Sequence, residues 1–385
     1  MSDVQHAILG ASSAHRWLNC PGSALLTADM PDQTTPYAEE GTQAHAVCEA
    51  VARMELAKEY QLVSYAGAVQ PSEDNQEMLE CANVYLDAIL EAIAGLGLSI
   101  EDPPYIALEQ RVDFSQWVPD GFGTADCILI GNGILHVIDY KHGKGVRVEA
   151  EGNPQLMLYA LGALMRYQPL YFIHTVRWSI VQPRNGGVSQ APDMTADVLL
   201  KWAEETVKPV AILADNPDAP LNPGEWCRFC KARATCRARS DHNLALEGFE
   251  KKDPKLLTPQ EVSDALTRGK DLVKWLSDLE EYALSETLTG KTIPGWKAVE
   301  GRSIRSWTDA EAAFAKALEL GVPEAVLYER KPVTLAALEK TLGKKAFLPL
   351  NAFVTVPPGK PALVPEADKR PALASKPTAE DDFAK

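Results

Sequence analysis

In "NQEMLECANVYLDAILEAIAGLG" apolar residues return at helical spacing, with Met78, Leu79, Ala82, Tyr85, Leu86, Ile89 and Ile93 on one side. "EEGTQAHAVCEAVARMEL" (39–56) has the same period after Gly41-Thr42, and residues 12–29, which contain Cys20-Pro21, also read as helical. The pattern changes at "YIALEQRVDF" (105–114), a strand candidate, and residues 124–141 follow as strand, turn and strand. "NPQLMLYALGALM" predicts a helix with Asn153 as N-cap and Pro154 in its first position. "LYFIHTVRWSIVQP" predicts another strand, and a helix is expected at about 195–213. Thr258 and Glu261 form a capping box that opens one long helix. "PGWKAVEGRSIRSW" reads as a strand pair or turn, and "TDAEAAFAKALELG" as a further capped helix. From residue 357 onward Pro, Ala, Lys and Asp dominate, the composition of a disordered tail. No internal repeat is visible.

Strands followed by helices, in this order, predict an α/β fold with a mixed central sheet flanked by helices. The 385 residues are expected to divide into a main domain over 1–245, an α-rich accessory region over 250–356 and the tail over 357–385. Neither a membrane-length apolar run nor a signal peptide is recognisable, so a cytoplasmic protein with no membrane partner is expected. A net charge of −15 disfavours nucleic acid as a partner in bulk, but leaves room for a local basic groove. Seven cysteines at uneven spacing argue against a disulfide framework and for a metal site plus a few buried thiols.

The candidate chemistry lies in the hairpin. Asn132-Gly133 is the preferred pair for a two-residue type I′ turn. That turn pairs Gly131 with Ile134, and stepping back along both strands sets Asp126 directly opposite Asp139. Alternation then puts Asp126, Ile128, Ile130, Leu135, Val137, Asp139 and Lys141 on one face. Opposed Cβ atoms stand about 5 Å apart. Two carboxylates that close, on an otherwise apolar face, suit a divalent cation between them, and hard oxygen ligands suit Mg²⁺ or Mn²⁺. Lys141 would hold a water or a phosphate oxygen beside it, its pKa depressed by a neighbouring cation. A solvated or self-paired sheet face, or a three-residue turn that breaks the pairing, would remove the site. Glu109 on the preceding strand is a possible outer acid.

Gly41-Thr42-x-x-His45, then Gly123-x-x-Asp126, then Asp139-x-Lys141, then Gln155-x-x-x-Tyr159 form an ordered set. The set resembles the RecB-like branch of the PD-(D/E)XK nucleases, which includes the RecB and AddB nuclease domains and CRISPR-associated RecB-like exonucleases. It also resembles a phage family of unassigned function with this layout. The match covers roughly residues 12–240. The resemblance implies a restriction-endonuclease-like sheet and a metal held by His45, Asp126 and Asp139. It makes Lys141 the residue that positions or activates the attacking water, with Gln155 and Tyr159 steadying the lysine or the DNA backbone. Ala125 stands where the namesake proline would be. The implied activity is a Mg²⁺- or Mn²⁺-dependent DNA exonuclease acting on linear single- or double-stranded ends. Its expected setting is phage or mobile-element replication or recombination, alongside other phage proteins, in the bacterial host cytoplasm.

Cys227, Cys230 and Cys236 form C-x₂-C-x₅-C, with Cys20 far upstream. On spacing alone zinc is possible. The resemblance implies instead a [4Fe–4S] cluster on Cys20, Cys227, Cys230 and Cys236, closing the two ends of the domain. Cys48, Cys81 and Cys127 read as buried small hydrophobes. Arg228, Lys231, Arg233, Arg237 and Arg239 beside the cysteines, and Lys144 and Arg147 after the hairpin, are candidate DNA-backbone contacts or merely solvated faces. Trp296, Lys297, Arg302, Arg305 and Trp307 could grip a single strand, though core and surface of an accessory domain is the plainer reading. The tail end "AEDDFAK" reads as solubilising rather than as a docking peptide. Two further readings compete: a DNA-binding or assembly protein with a nuclease-like fold and no important catalysis, and a zinc-stapled structural protein.

Overall fold

The computed structural model describes residues 8–31, 36–60, 76–98, 103–245, 258–299, 309–320, 323, 327–328 and 334–354. The chain divides into two units, Met1–Val299 and Glu300–Lys385.

The first unit is built on a six-stranded mixed sheet: β1 (Tyr105–Asp113), β2 (Phe122–Gly131), β3 (Ile134–Tyr140), β4 (Thr175–Gln182), β5 (Gly187–Gln190) and β6 (Met194–Thr195). The strand order is β1-β2-β3-β4-β5, with β6 also on β4. Only the β3–β4 pair is parallel. Its crossover contains the helix Pro154–Tyr167. Among the described residues, the α-helices of this unit are Ala14–Asn19 (α1), Ser23–Leu26 (α2), Pro36–Tyr60 (α3), Gln76–Gly95 (α4), the crossover helix (α5), Ala196–Trp202 (α6), Lys208–Ala214 (α7), Arg237–Leu244 (α8) and Pro259–Leu288 (α9). A π-helical turn, Ala203–Val207, joins α6 to α7.

The hairpin register is the one its turn predicts. Asn132 and Gly133 have φ of 51° and 74°, as a type I′ turn requires. Gly131 pairs with Ile134, and the ladder runs back to Cys127 opposite Ile138. The period of two then sorts the apolar residues into two layers. Ile128, Ile130, Leu135 and Val137 pack with α5, α6 and α7. Cys127, Leu129, Ile138 and Tyr140 pack with α3 and α4. The sheet is therefore covered on both faces, which is why its middle strands carry almost no polar side chains except at their ends.

Asn153 caps α5 as expected, its Oδ1 accepting from the N–H groups of Gln155 (3.1 Å) and Leu156 (3.3 Å). The capping box on α9 is present, Glu261 N donating to Thr258 Oγ1 and Thr258 N to Glu261 Oε2. Residues 12–29 are not one helix. α1 stops at Cys20, where Pro21 supplies no N–H to continue it, and α2 restarts at Ser23. β4 starts at Thr175 rather than Leu170, because Leu170 and Phe172 are exposed and unpaired with the sheet. β5 and β6 were not anticipated.

The expected boundary near residues 245–250 is displaced. α9 belongs to the first unit, tied to α8 by a buried ion pair between Arg239 and Asp278 at 2.8 Å. In the second unit, α10 (Ala310–Glu319) is capped by Asp309, and α11 (Leu335–Phe347) is broken at Gly343. Trp296 is exposed. Arg302, Arg305, Trp307 and the tail from 357 lie outside the described residues. No helix among the described residues is long and apolar enough to cross a membrane.

One core residue makes stability depend on pH. His136 is buried on the α4 side of the sheet, its Nε2 2.8 Å from Ser179 Oγ. Burial, assisted by the Arg177 charge, pushes its pKa down from 6.5 to about 3. The unfolded chain therefore binds a proton that the folded chain refuses, and stability falls as pH drops from about 6.5 towards 3. His136→Gln keeps a partner for Ser179 but cannot titrate. Urea unfolding at pH 7, 5.5 and 4 is expected to show a shallower acid loss for the variant, by roughly 2–4 kcal/mol at most. Equal slopes would remove His136 from the account.

Candidate metal centre and cysteine pocket

The open end of the hairpin collects the charged residues. One step beyond the Cys127–Ile138 pair the ladder gives way to a side chain: Tyr140 N donates to Asp126 Oδ2 at 2.7 Å. Asp126 is thereby fixed by the neighbouring strand. His45, from the middle of α3, brings Nδ1 to 3.4 Å from Asp126 Oδ1. Its ring stands edge-on to that of Tyr140, with centroids 5.4 Å apart.

Glu109 completes this group. The β1–β2 register holds at Leu108–Cys127 and again at Gln110–Ala125, but the intervening Glu109–Asp126 pair is missing. Glu109 has φ of 50°, a left-handed conformation that costs a non-glycine residue about 1–3 kcal/mol. The kink aims its carboxyl at the two other ligands, and one atom each of His45, Glu109 and Asp126 lie within 4.8 Å of one another. Burial, with the Asp126 charge adding to it, pushes the Glu109 carboxyl up to about 7. Burial disfavours the His45 cation, but its bond and attraction to Asp126 outweigh that and raise its pKa. This is a set of hard donors held close and poorly compensated, which a divalent cation fits.

Asp139 takes a different place from the one expected. The anticipated ligand set was His45, Asp126 and Asp139, whereas the cation-sized set is His45, Glu109 and Asp126. Lys141, on the same face two residues on, places Nζ 2.8 Å from Asp139 Oδ2 and neutralises it. That oxygen receives no aligned hydrogen bond and is otherwise buried. Burial raises the Asp139 pKa, against the pull of Lys141. Lys141 in turn is held above its ordinary value, because Asp139 outweighs the burial that would lower it.

Gln155 and Tyr159 share one face of α5 and meet this pair. Gln155 Oε1 accepts from Lys141 Nζ at 3.3 Å, while its Nε2 donates to Tyr159 OH at 3.1 Å and to Asp139 Oδ1 at 3.4 Å. The amide thus bridges acid and lysine, and the tyrosine fixes which way it points. A side chain on Gly123 would run into the Tyr159 ring, so β2 needs glycine there. Tyr159 also borders an open cleft of about 660 Å³ whose other walls include Ser12, Ser13, Arg16, Thr124 and Lys231.

The four distant cysteines line one cavity, together with Arg16, Arg233 and Arg239. Cys20, Cys227 and Cys230 are buried and Cys236 half-buried. Two sulfurs already accept backbone N–H groups: Cys20 from Asn222 at 3.2 Å and Cys227 from Gly224 at 3.4 Å. The N-terminal segment is zipped to residues 219–224 by Gly22 N to Pro220 O and Asn222 Nδ2 to Asn19 O. Tetrahedral zinc, with bonds of about 2.3 Å, would draw its sulfurs to about 3.8 Å from one another. Among the described residues no three of these sulfurs come within 4.8 Å of one another. Cys48, Cys81 and Cys127 are buried in the α3–α4 layer, as expected, and burial pushes the Cys48 thiol up to about 12.

The basic edges are largely engaged. Lys144 pairs with Glu77 at 3.0 Å, Arg147 with Glu149 at 2.9 Å, and Arg233 with Asp278 at 3.3 Å and Glu281 at 3.5 Å. Lys231 donates to Met30 O at 3.0 Å. Arg228 lies over the exposed Phe229 ring, and Arg237 is exposed at the start of α8. Arg239 is buried and structural.

The fold and site define an α/β protein with a carboxylate–histidine centre at a hairpin end and a separate four-cysteine pocket. The chain belongs to the family described as "Protein of unknown function (DUF2800)", which matches residues 6–371. Among solved structures, one titled "Crystal structure of SSO0001" aligns at 16% identity over 58% of this chain and 96% of that chain, with a TM-score of 0.20.

Metal binding tests the centre directly. Calorimetric titration with Mn²⁺ is expected to show one site that Asp126→Ala abolishes. Glu109→Gln should weaken it by more than the roughly tenfold that loss of an outer partner costs, while Lys141→Met, which frees Asp139, does not weaken it. His45 and Glu109 must lose protons to bind, so affinity rises with pH through about 7 and protons are released. Glu109→Gln binding at wild-type strength would return the third ligand position to Asp139.

Proposed function

We propose that the protein is a metal-dependent deoxyribonuclease, an exonuclease acting on linear DNA ends, with a [4Fe–4S] cluster on Cys20, Cys227, Cys230 and Cys236. The observation that carries the first part is the Lys141–Asp139–Gln155–Tyr159 chain set beside the His45–Glu109–Asp126 group. It joins residues from β1, β2, β3, α3 and α5.

A Mg²⁺ or Mn²⁺ on His45, Glu109 and Asp126, with Asp139 alongside, would polarise a phosphate and acidify a water. Lys141, paired with Asp139, would position or activate the attacking water or hold a phosphate oxygen. Gln155 keeps its ammonium aimed, and Tyr159 keeps Gln155 aimed. The cleft bordered by Tyr159, Arg16 and Lys231 supplies a path for the strand. The four cysteines that line one cavity would hold the cluster, which would join α1 to the 225–236 loop as a structural clasp. Phage or mobile-element replication or recombination in a bacterial host is the setting this activity suits.

End-labelled linear single- and double-stranded DNA and closed circles, incubated with protein purified without oxygen and with Mg²⁺ or Mn²⁺, test the reading. Linear substrates are expected to be degraded and circles spared. Asp139→Ala and Lys141→Ala should each lower the rate by roughly 10²–10³ or more. Cutting of circles would make the enzyme an endonuclease. Uncleaved DNA with a metal-loaded wild type would move the protein to the DNA-binding reading. Cys20→Ser is expected to lose its iron and much of its thermal stability while still binding Mn²⁺ at the hairpin. Full iron content in that variant would exclude Cys20 as a ligand.

A further inference from the structure

Helix α9 lies beyond the segment that carries the nuclease motifs, yet it grips the cysteine loop. Asp278, 2% exposed, accepts from Arg239 Nη1 at 2.8 Å, Lys274 Nζ at 3.0 Å and Arg233 Nε at 3.3 Å. Arg239, 1% exposed, is held on its other edge by Asp271 at 2.8 and 3.4 Å and donates to Arg233 O at 3.0 Å. Trp275 Nε1 donates to Ala234 O at 2.9 Å. Residues 230–239 thus turn their cysteines inward and their polar groups outward to α9.

The two arginines bound by Asp278 also line the cysteine cavity. Docking a helix does not require buried charge. Apolar contacts do that at lower desolvation cost, and removing one partner of a buried pair is strongly destabilising. What the network adds is position. One buried carboxylate holds two guanidiniums that line the same cavity as the four cysteines. A group bound by four thiolates carries excess negative charge, and fixed cations beside it stabilise the thiolate form.

We propose that α9 supplies the outer shell of the four-cysteine site, with Asp278 and Trp275 as positioning residues that hold the 230–239 loop and its arginines in place. Retention of the bound group and docking of α9 are then one coupled equilibrium: each strengthens the other by the same factor. The inference rests on the reading of the cysteines as a metal or cluster site, and is separable from the nuclease activity.

The full chain, purified without oxygen, is compared with Asp278→Asn, Trp275→Phe and Cys236→Ser. Iron and zinc contents are measured, then loss of the bound metal during a chelator challenge, then hydrogen exchange across residues 259–288. Asp278→Asn is expected to retain the group roughly 10–100-fold more weakly, and Trp275→Phe, which keeps the ring and loses only the N–H, to weaken it in the same direction. Both should keep Mn²⁺ binding at the hairpin. In Cys236→Ser the amides of α9 should exchange faster while those of α5 do not. Release at the wild-type rate from both variants, with a metal-loaded wild type, overturns the inference and leaves the cysteine site standing. Unchanged α9 exchange in Cys236→Ser also overturns it. A wild type with neither iron nor zinc overturns the cysteine site and this inference together. If Asp278→Asn does not fold, Trp275→Phe decides.

Discussion

Carboxyl groups crowd the end of a sheet that is mostly apolar on both faces, and the arrangement around them follows from that. Asp126 and Asp139 lie at the open end of a hairpin whose register is fixed by a two-residue turn, just beyond its last pair Cys127–Ile138, and Glu109 is turned in beside Asp126. Removing such groups from water is costly unless each charge is matched. The chain matches them with what is near: the Tyr140 N–H and His45 for Asp126, Lys141 and Gln155 for Asp139. Glu109 has no cation as close, and its carboxyl is pushed furthest toward the neutral form of the values stated above. A structure concerned only with stability would place an apolar residue at Glu109 and relax the strained φ. Strain and desolvation at one point are the pattern expected where the site itself is what is kept.

The cysteine pocket answers a different constraint. α1 and the 225–236 loop are far apart in sequence, and polar clasps help to close them. Gly22 with Pro220, Asn222 with Asn19, and Lys231 with Met30 bring the segments together. The four sulfurs then face a common space. Loop closure over some 200 residues is entropically expensive, and a bound group that links the ends offsets it much as a disulfide would.

Most of the framework was legible in the sequence because it rests on local chemistry. Asn132-Gly133 specified the register, and alternation then specified which residues face α5. Asn153-Pro154 and Thr258–Glu261 specified two helix starts. The motif residues Gln155 and Tyr159 meet Asp139 and Lys141 because i and i+4 share a helix face. What was not legible is set by tertiary contact. Nothing in "YIALEQRVDF" announces that Glu109 adopts positive φ, since the register is the same on either side of it. Ion pairs that cross the fold, such as Lys144 with Glu77, cannot be read from a run of basic residues, so the two basic edges looked freer than they are. The boundary after residue 245 was misplaced for the same reason. α9 looks like the start of a new region by composition, and contacts such as Arg239 with Asp278 and Trp275 with Ala234 O tie it to the first.

Arg16 connects the two centres. Its Nη1 is held by Ser23 O, Ser23 Oγ and Thr27 Oγ1 at 2.9–3.2 Å, so its guanidinium has a defined position. It lines both the cysteine cavity and the cleft that ends at Tyr159. Lys231, between two of the cysteines, lines the same cleft. The cleft wall is therefore made from the two segments that the cysteine pocket joins. If those segments separate, the cleft loses Arg16 and Lys231 together, while His45, Glu109, Asp126 and Lys141 keep their positions on α3 and the sheet. The geometry divides the labour: the hairpin end holds the charged centre, and the cysteine pocket joins the segments that bring Arg16 and Lys231 to the cleft beside Tyr159.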